Sequence, residues 1–181
     1  SGVGKSTLVN IICGLLPPSK GNIFSDGKIV DTESNEWRKK FGIVPQNFFM
    51  LDDTIKNNIT FGEDINKNYL LFEKAISQSE SKEFIETREI KDLEIIGQKG
   101  TRISGGQQQR LAIARALYFD PEILIFDEAT NSLDKKTENS ILNTIKKMAS
   151  TKTIIQISHD PDALKYCEKI YRLSKNNIEK L

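Results

Sequence analysis

The chain has 181 residues, 38% hydrophobic and 28% charged, and 26 Lys+Arg against 25 Asp+Glu leave a net charge of +1. That is the composition of one foldable domain of ordinary size; it excludes a disordered chain, and the balance excludes a general pull towards nucleic acid or anionic lipid. No apolar run approaches the roughly 20 residues that a membrane-spanning helix needs. Two cysteines, Cys13 and Cys167, are too few for a disulfide framework, so Cys13 reads as a core thiol and the compartment as reducing.

The chain opens at Ser1 inside a glycine-rich loop, with no initiator Met, signal peptide or preceding strand, and is therefore expected to be a fragment lacking its N-terminal part. The loop runs into a helix with an apolar face (Leu8, Val9, Ile11, Ile12) that stops near Gly14 and Pro17-Pro18. Alternation from Gly21 to Val30 around Asp26-Gly27 predicts a hairpin. Phe41 to Val44 is a short strand ended by Pro45. Helical spacing runs from Thr54 to about Arg88, with Leu71, Phe72, Ala75 and Ile76 on one face. A glycine-rich loop from Gly97 to Gly106 leads into a helix ending near Tyr118. Then come a buried strand (Glu122 to Phe126), an amphipathic helix (Glu138 to Met148), a strand (Thr153 to Ile157), a helix (Pro161 to Cys167) and a strand-like run (Ile170 to Leu173). Strands alternating with helices predict an α/β fold with a mainly parallel sheet.

Three segments carry chemistry. Ser1-Gly2-Val3-Gly4-Lys5-Ser6-Thr7 is most of a P-loop. Its glycines let backbone N–H groups turn inwards around phosphates, the helix dipole adds positive potential, Lys5 reaches the β- and γ-phosphates, and the Ser6 hydroxyl is a Mg²⁺ ligand. Ile123-Leu124-Ile125-Phe126-Asp127-Glu128 is an apolar strand ending in two acids, at the place where open α/β sheets bind ligands. Asp127 fits a Mg²⁺-holding role, and Glu128 is placed to take a proton from water. Ser104-Gly105-Gly106-Gln107 opens a helix and forms another N-terminal anion site with a hydroxyl donor.

The Ser104-Gly105-Gly106-Gln107 segment resembles the signature of the ATP-binding-cassette (ABC) ATPases. The resemblance spans Ser1 to about Leu173 and gives further positions meaning. Gln46, in Val44-Pro45-Gln46, is similar to the Q-loop glutamine that helps ligate Mg²⁺ and senses the γ-phosphate. Asn131-Ser132-Leu133-Asp134 resembles the D-loop, with Asp134 as its acid. His159, the only histidine, is similar to the switch histidine.

The resemblance implies a P-loop NTPase (RecA-like) core formed by 1–45 and 119–181, a small antiparallel portion, and an inserted helical signature subdomain at 46–118, in one ABC ATPase domain spanning 1–181. Catalysis would rest on Glu128, His159 and Gln46. Nucleotide would be held by Ser1 to Thr7 and, across a dimer interface, by Ser104, Gly105, Gly106, Gln107 and Asp134. The metal would sit on Ser6, Gln46 and Asp127. ATP and Mg²⁺ are the implied ligands, and a second ABC ATPase domain and transmembrane domains the implied partners, with no nucleic acid. The implied place is the cytoplasmic face of a membrane.

The short stretch from Gln46 to Ser104 suits a transporter cassette and leaves no room for the coiled coil of chromosome-maintenance relatives. Asp53-Thr54-Ile55-x-x-Asn58-Ile59 and Gly97-Gln98-Lys99-Gly100 look like exporter cassettes, although exporters usually carry Glu at the position of Gln98 and often Arg at that of Asp160. Asn57 to Gly62 and Tyr171-Arg172-Leu173 are similar to flippases of lipid-linked oligosaccharides. A soluble, translation-associated tandem cassette stays open as an alternative, as does a degenerate regulatory cassette, against which the intact acids argue. Asn58-Ile59-Thr60 matches a glycosylation acceptor and Asp64-x-Asn66-x-Asn68 begins like a calcium loop. The first is read as a decoy and the second as a helix cap, because Tyr69 and Ala75 stand where such a loop needs Gly and Glu.

Overall fold

The computed structural model describes residues 3–87, 95–97, 100–129, 135–174 and 177–181, with the backbone alone at 65–67. Helix α1 (Lys5–Ile12) follows Gly4, whose φ of 93° turns the loop into the helix. Strands β1 (Phe24–Ser25) and β2 (Lys28–Ile29) pair antiparallel, Phe24 opposite Ile29. Asp26 and Gly27 both have positive φ, the geometry a two-residue hairpin turn demands. A one-turn helix α2 (Asn35–Arg38) was not anticipated, being too short for a periodicity. Ser34 caps it, and its buried Trp37 donates from Nε1 to the carbonyl of Ile12 at 2.8 Å, satisfying the end of α1.

Strand β3 (Phe41–Val44) is followed by three helices where the sequence predicted one continuous helical stretch: α3 (Ile55–Thr60), α4 (Ile65–Gln78) and α5 (Lys82–Thr87). The breaks lie at Phe61-Gly62 and at Glu80, all with positive φ, which no α-helix tolerates. Next come α6 (Gly105–Leu117), β4 (Ile123–Asp127), α7 (Lys135–Met148), β5 (Thr153–Ile157) and α8 (Pro161–Leu164), the last ending before the predicted Cys167. Strand β6 (Tyr171–Ser174) pairs antiparallel with β7 (Asn177–Lys180), a fully exposed strand whose residues carry no inward-facing apolar pattern to read.

The parallel sheet has the order β3-β4-β5, with Val44 opposite Phe126 and Asp127 opposite Ile157. Side chains of β4 alternate between two cores, as strand geometry requires. Ile125 packs with Val9 and Cys13 of the α1 side, while Leu124 and Phe126 join the larger cluster that includes α3, α4, α6 and α7. Cys13 is buried as expected, and burial pushes its thiol up to about 11. Gly42 lies against the carbonyl of Ala116, so α6 sits directly on β3 with no room for a side chain. The predicted α/β class, parallel sheet and small antiparallel pieces are all present. Because the three strands run in parallel, the segments after Val44, Asp127 and Ile157 emerge on the same edge.

Candidate functional site

At that edge, four residues far apart in sequence meet. Lys5 is the first residue of α1, and Gly4 ahead of it has no side chain with which to cap the amides of the first turn. Gln46 follows β3, Glu128 follows β4, and His159 follows β5. Lys5 Nζ donates to Glu128 Oε1 at 2.9 Å and lies 2.6 Å from His159 Nε2. Gln46 Nε2 donates to Glu128 Oε2 at 2.9 Å, and His159 Nε2 lies 3.1 Å from Glu128 Oε1. Glu128 is held there by its backbone. Its φ of 51° is in the left-handed region, costly for a residue with a β-carbon, and its N–H extends the β-ladder to the carbonyl of Ile157.

The two neighbouring acids are pushed in opposite directions. The hydrogen bond from Lys5 holds the Glu128 carboxyl below the usual range. Burial raises Asp127, the charge of Glu128 raises it further, and Lys5 opposes both. Asp127 carboxylate, Ser6 hydroxyl and Gln46 amide oxygen are hard oxygen donors of the kind that suit Mg²⁺.

The Ser104 turn is a separate feature. Ser104 caps α6: its Oγ accepts from Gln107 N at 3.3 Å, and Gln107 Oε1 accepts from Ser104 N at 2.9 Å, a reciprocal capping box. Among the described residues, the bonds of Ser104 run to Gln107 and Gln108. Ser1, Gly2, Gln98, Lys99, Asn131, Ser132, Leu133 and Asp134 lie outside the described residues. Val3, Gly4, Ser6 and Thr7 stand at the mouth and start of α1 as predicted.

Sequence reasoning missed Arg115. Its Nε donates to the Asn58 carbonyl at 2.7 Å, Nη2 to Asn58 Oδ1 at 3.0 Å and Nη1 to the Phe49 carbonyl at 3.0 Å, with the Phe61 ring 5.1 Å away. Asn58 is fully buried and also binds Leu51 through both backbone groups, so it is no glycosylation acceptor. Together they fix the segment that follows Gln46. The available signal was a lone arginine inside the apolar run Leu111 to Leu117. Asp64 directly precedes α4, in keeping with a helix start.

A lysine heading a helix that follows a glycine N-cap, facing acids at the ends of parallel strands, defines a P-loop nucleotide-hydrolase fold. Within that class the chain belongs to the ABC transporter family, whose model matches residues 1–131. It is 36% identical over 179 residues to an ATP-dependent lipid A-core flippase of Vibrio cholerae serotype O1, covering 98% of this chain and 31% of that protein. It is 38% identical over 181 residues to the mitochondrial iron-sulfur clusters transporter ATM1 of Kluyveromyces lactis, covering 98% of this chain and 25% of the relative. Among solved structures, that of a bacterial Atm1-family ABC exporter with ATP bound superposes with a TM-score of 0.83 at 34% identity, covering 97% of this chain and 31% of that one. The chain thus spans between a quarter and a third of the length of these relatives.

Proposed function

We propose that this chain is the ATP-binding and ATP-hydrolysing domain of an exporter-type membrane transporter. The observation that carries the reading is the convergence of Lys5, Gln46, Glu128 and His159 on one point at the strand ends. ATP is the substrate, bound by the amides and side chains of Ser1 to Thr7. Ser6, Gln46 and Asp127 hold Mg²⁺, which neutralises phosphate charge when bound. Glu128 accepts the proton of the attacking water, and His159 orients that water. Lys5 stabilises charge developing on the transferred group.

Ser104, Gly105, Gly106, Gln107 and Asp134 serve the nucleotide of a second ABC ATPase domain, so that two domains close around shared nucleotides. Closure drives transmembrane domains to which the chain is coupled. Exposed Phe49 and Phe61 beside Arg115 offer an apolar docking face for them. No helix of the described residues is long and apolar enough to cross a membrane. As the ATP-binding domain of a transporter, the chain sits on the membrane's cytoplasmic face. The roles of relatives, a lipid A-core flippase and a processing and transport protein for lactococcin G in Lactococcus lactis subsp. lactis, favour export.

The test is Mg-ATP hydrolysis by the purified, membrane-reconstituted transporter that contains this chain. Wild type should turn over ATP, and Lys5→Ala should lose nearly all turnover with weakened ATP binding. A wild type without ATPase activity, or a Lys5→Ala variant with unchanged affinity and rate, overturns the proposal.

A further inference from the structure

Helix α4 ends in a turn whose hydrogen bonds define the kind of residue that fits there. Ser81 N donates to the Ile76 carbonyl at 2.9 Å and Glu80 N to the Ser77 carbonyl at 3.2 Å. These are the paired bonds of a Schellman cap, with Glu80 in its left-handed position at a φ of 56°. Glycine is the usual occupant of that position and Asn the next, because a β-carbon there crowds the following carbonyl. A glutamate is the costlier choice for the backbone, so the reason for it lies in its side chain.

That side chain crosses to another helix. Glu80 Oε2 accepts from Ser140 Oγ at 2.5 Å and Oε1 from Thr144 Oγ1 at 2.8 Å, both on α7. Lys147 Nζ, also on α7, lies 4.0 Å from Oε1. Burial pushes the Glu80 carboxyl up, but the two hydroxyls, then the Arg110 and Lys147 charges, outweigh it and hold it below its usual range. The main chain of the same residue serves α6, since the Glu80 carbonyl accepts from Arg110 Nη1 at 3.1 Å.

We propose that Glu80 is a positioning residue that clasps α6 to α7 and so fixes how the Ser104 turn stands relative to the acids at the end of β4. Helix α7 is anchored to the sheet, because Ile141, Leu142 and Ile145 share one core with Leu124 and Phe126 of β4. Arg110 stands on the helix that Ser104 caps, so a rotation of α6 about this tie displaces the Ser104 turn. The part played in hydrolysis rests on the function proposed above; the clasp itself rests on bonds within this chain.

The experiment compares Glu80→Gly, Glu80→Gln, the Ser140→Ala/Thr144→Val pair and the combination of that pair with Glu80→Gly in the reconstituted transporter, reading thermal midpoint and ATPase kcat and KM. Glu80→Gly gives the turn its preferred residue and removes the carboxylate. It should lower kcat about fivefold with KM for ATP little changed, as expected when a group that acts after binding is misplaced. Removing the donors by Ser140→Ala/Thr144→Val should lower kcat in the same way, and combining the lesions should cost little more than either alone. Glu80→Gln keeps one acceptor oxygen and the length of the side chain, so its kcat should lie between wild type and Glu80→Gly. If Glu80 served the turn alone, Glu80→Gly would raise the midpoint and leave kcat unchanged, and that result overturns the proposal. So does full additivity of the two lesions. If Glu80→Gly does not fold, the Ser140→Ala/Thr144→Val pair decides by the same fall in kcat. If wild type hydrolyses no ATP, the function proposed above fails, and the clasp is judged by whether the same lesions remain non-additive in the midpoint.

Discussion

Lys5 Nζ and Glu128 Oε1 are bonded at 2.9 Å, so the cation at the head of α1 and the acid beyond β4 neutralise each other. This has a chemical consequence. A carboxylate held below its usual range by an ammonium group is a poor proton acceptor. Glu128 gains basicity only when Lys5 is drawn away, and a phosphate between them is the group that would draw it.

Glu128→Gln keeps an oxygen that accepts from Lys5 but cannot accept a proton. Steady-state hydrolysis should fall about 10²-fold or more, while ATP still binds and an ATP-dependent closed dimer accumulates on size-exclusion chromatography. Near-normal turnover would remove Glu128 as the base.

Asp127 should trade stability for function. Burial, then the Glu128 charge, raises its folded-state pKa above the unfolded value. A carboxyl so shifted contributes stability that is present below the unfolded pKa and lost as pH rises through the folded pKa. Asp127→Asn should therefore raise the nucleotide-free thermal midpoint at pH 7, with the gain vanishing below about pH 4, and should impair Mg-ATP hydrolysis. A midpoint lowered at pH 7 would contradict the sign.

Arg115 braces α6 against the segment after Gln46 through bonds to Phe49 and Asn58. Arg115→Met leaves those acceptors without their charged donor and should cost about 2 kcal/mol or more in denaturant unfolding. Arg115→Lys should recover only part of it, because an ammonium group lacks the planar fork. Full recovery by Lys would mean that charge alone matters.

If Ser104 serves a partner's nucleotide, the two lesions Lys5→Ala and Ser104→Arg act in trans. Ser104→Arg subunits should bind ATP but not close or hydrolyse it. In a homodimeric assembly, mixing the two inactive variants places both lesions at one interface and none at the other, and partial ATPase activity should return. Normal hydrolysis by Ser104→Arg alone would rule out the shared site.

The fold was legible where the pattern was long. The P-loop helix, the Asp26-Gly27 hairpin, strands β3 to β5 and helices α6 and α7 all stand within a few residues of the expectation. The failures are physical. Helical spacing cannot see a break made by backbone geometry at Phe61, a residue with no reputation as a breaker. Exposed β7 has no buried face to write an alternation. Within the site, motifs named Lys5, Gln46, Glu128 and His159, and the sheet brings them together. Arg115 and Glu80 act through long-range bonds between helices, which no local window contains.

Trp37 is the only tryptophan of the chain. Its indole is 6% exposed and bonded to the last carbonyl of the helix that Lys5 begins. A shift of that helix relative to α2 when phosphate engages its first turn stretches or bends the indole's own hydrogen bond. The domain consequently carries a built-in optical gauge: excitation selective for tryptophan reads the strain on the far end of α1, with no label attached.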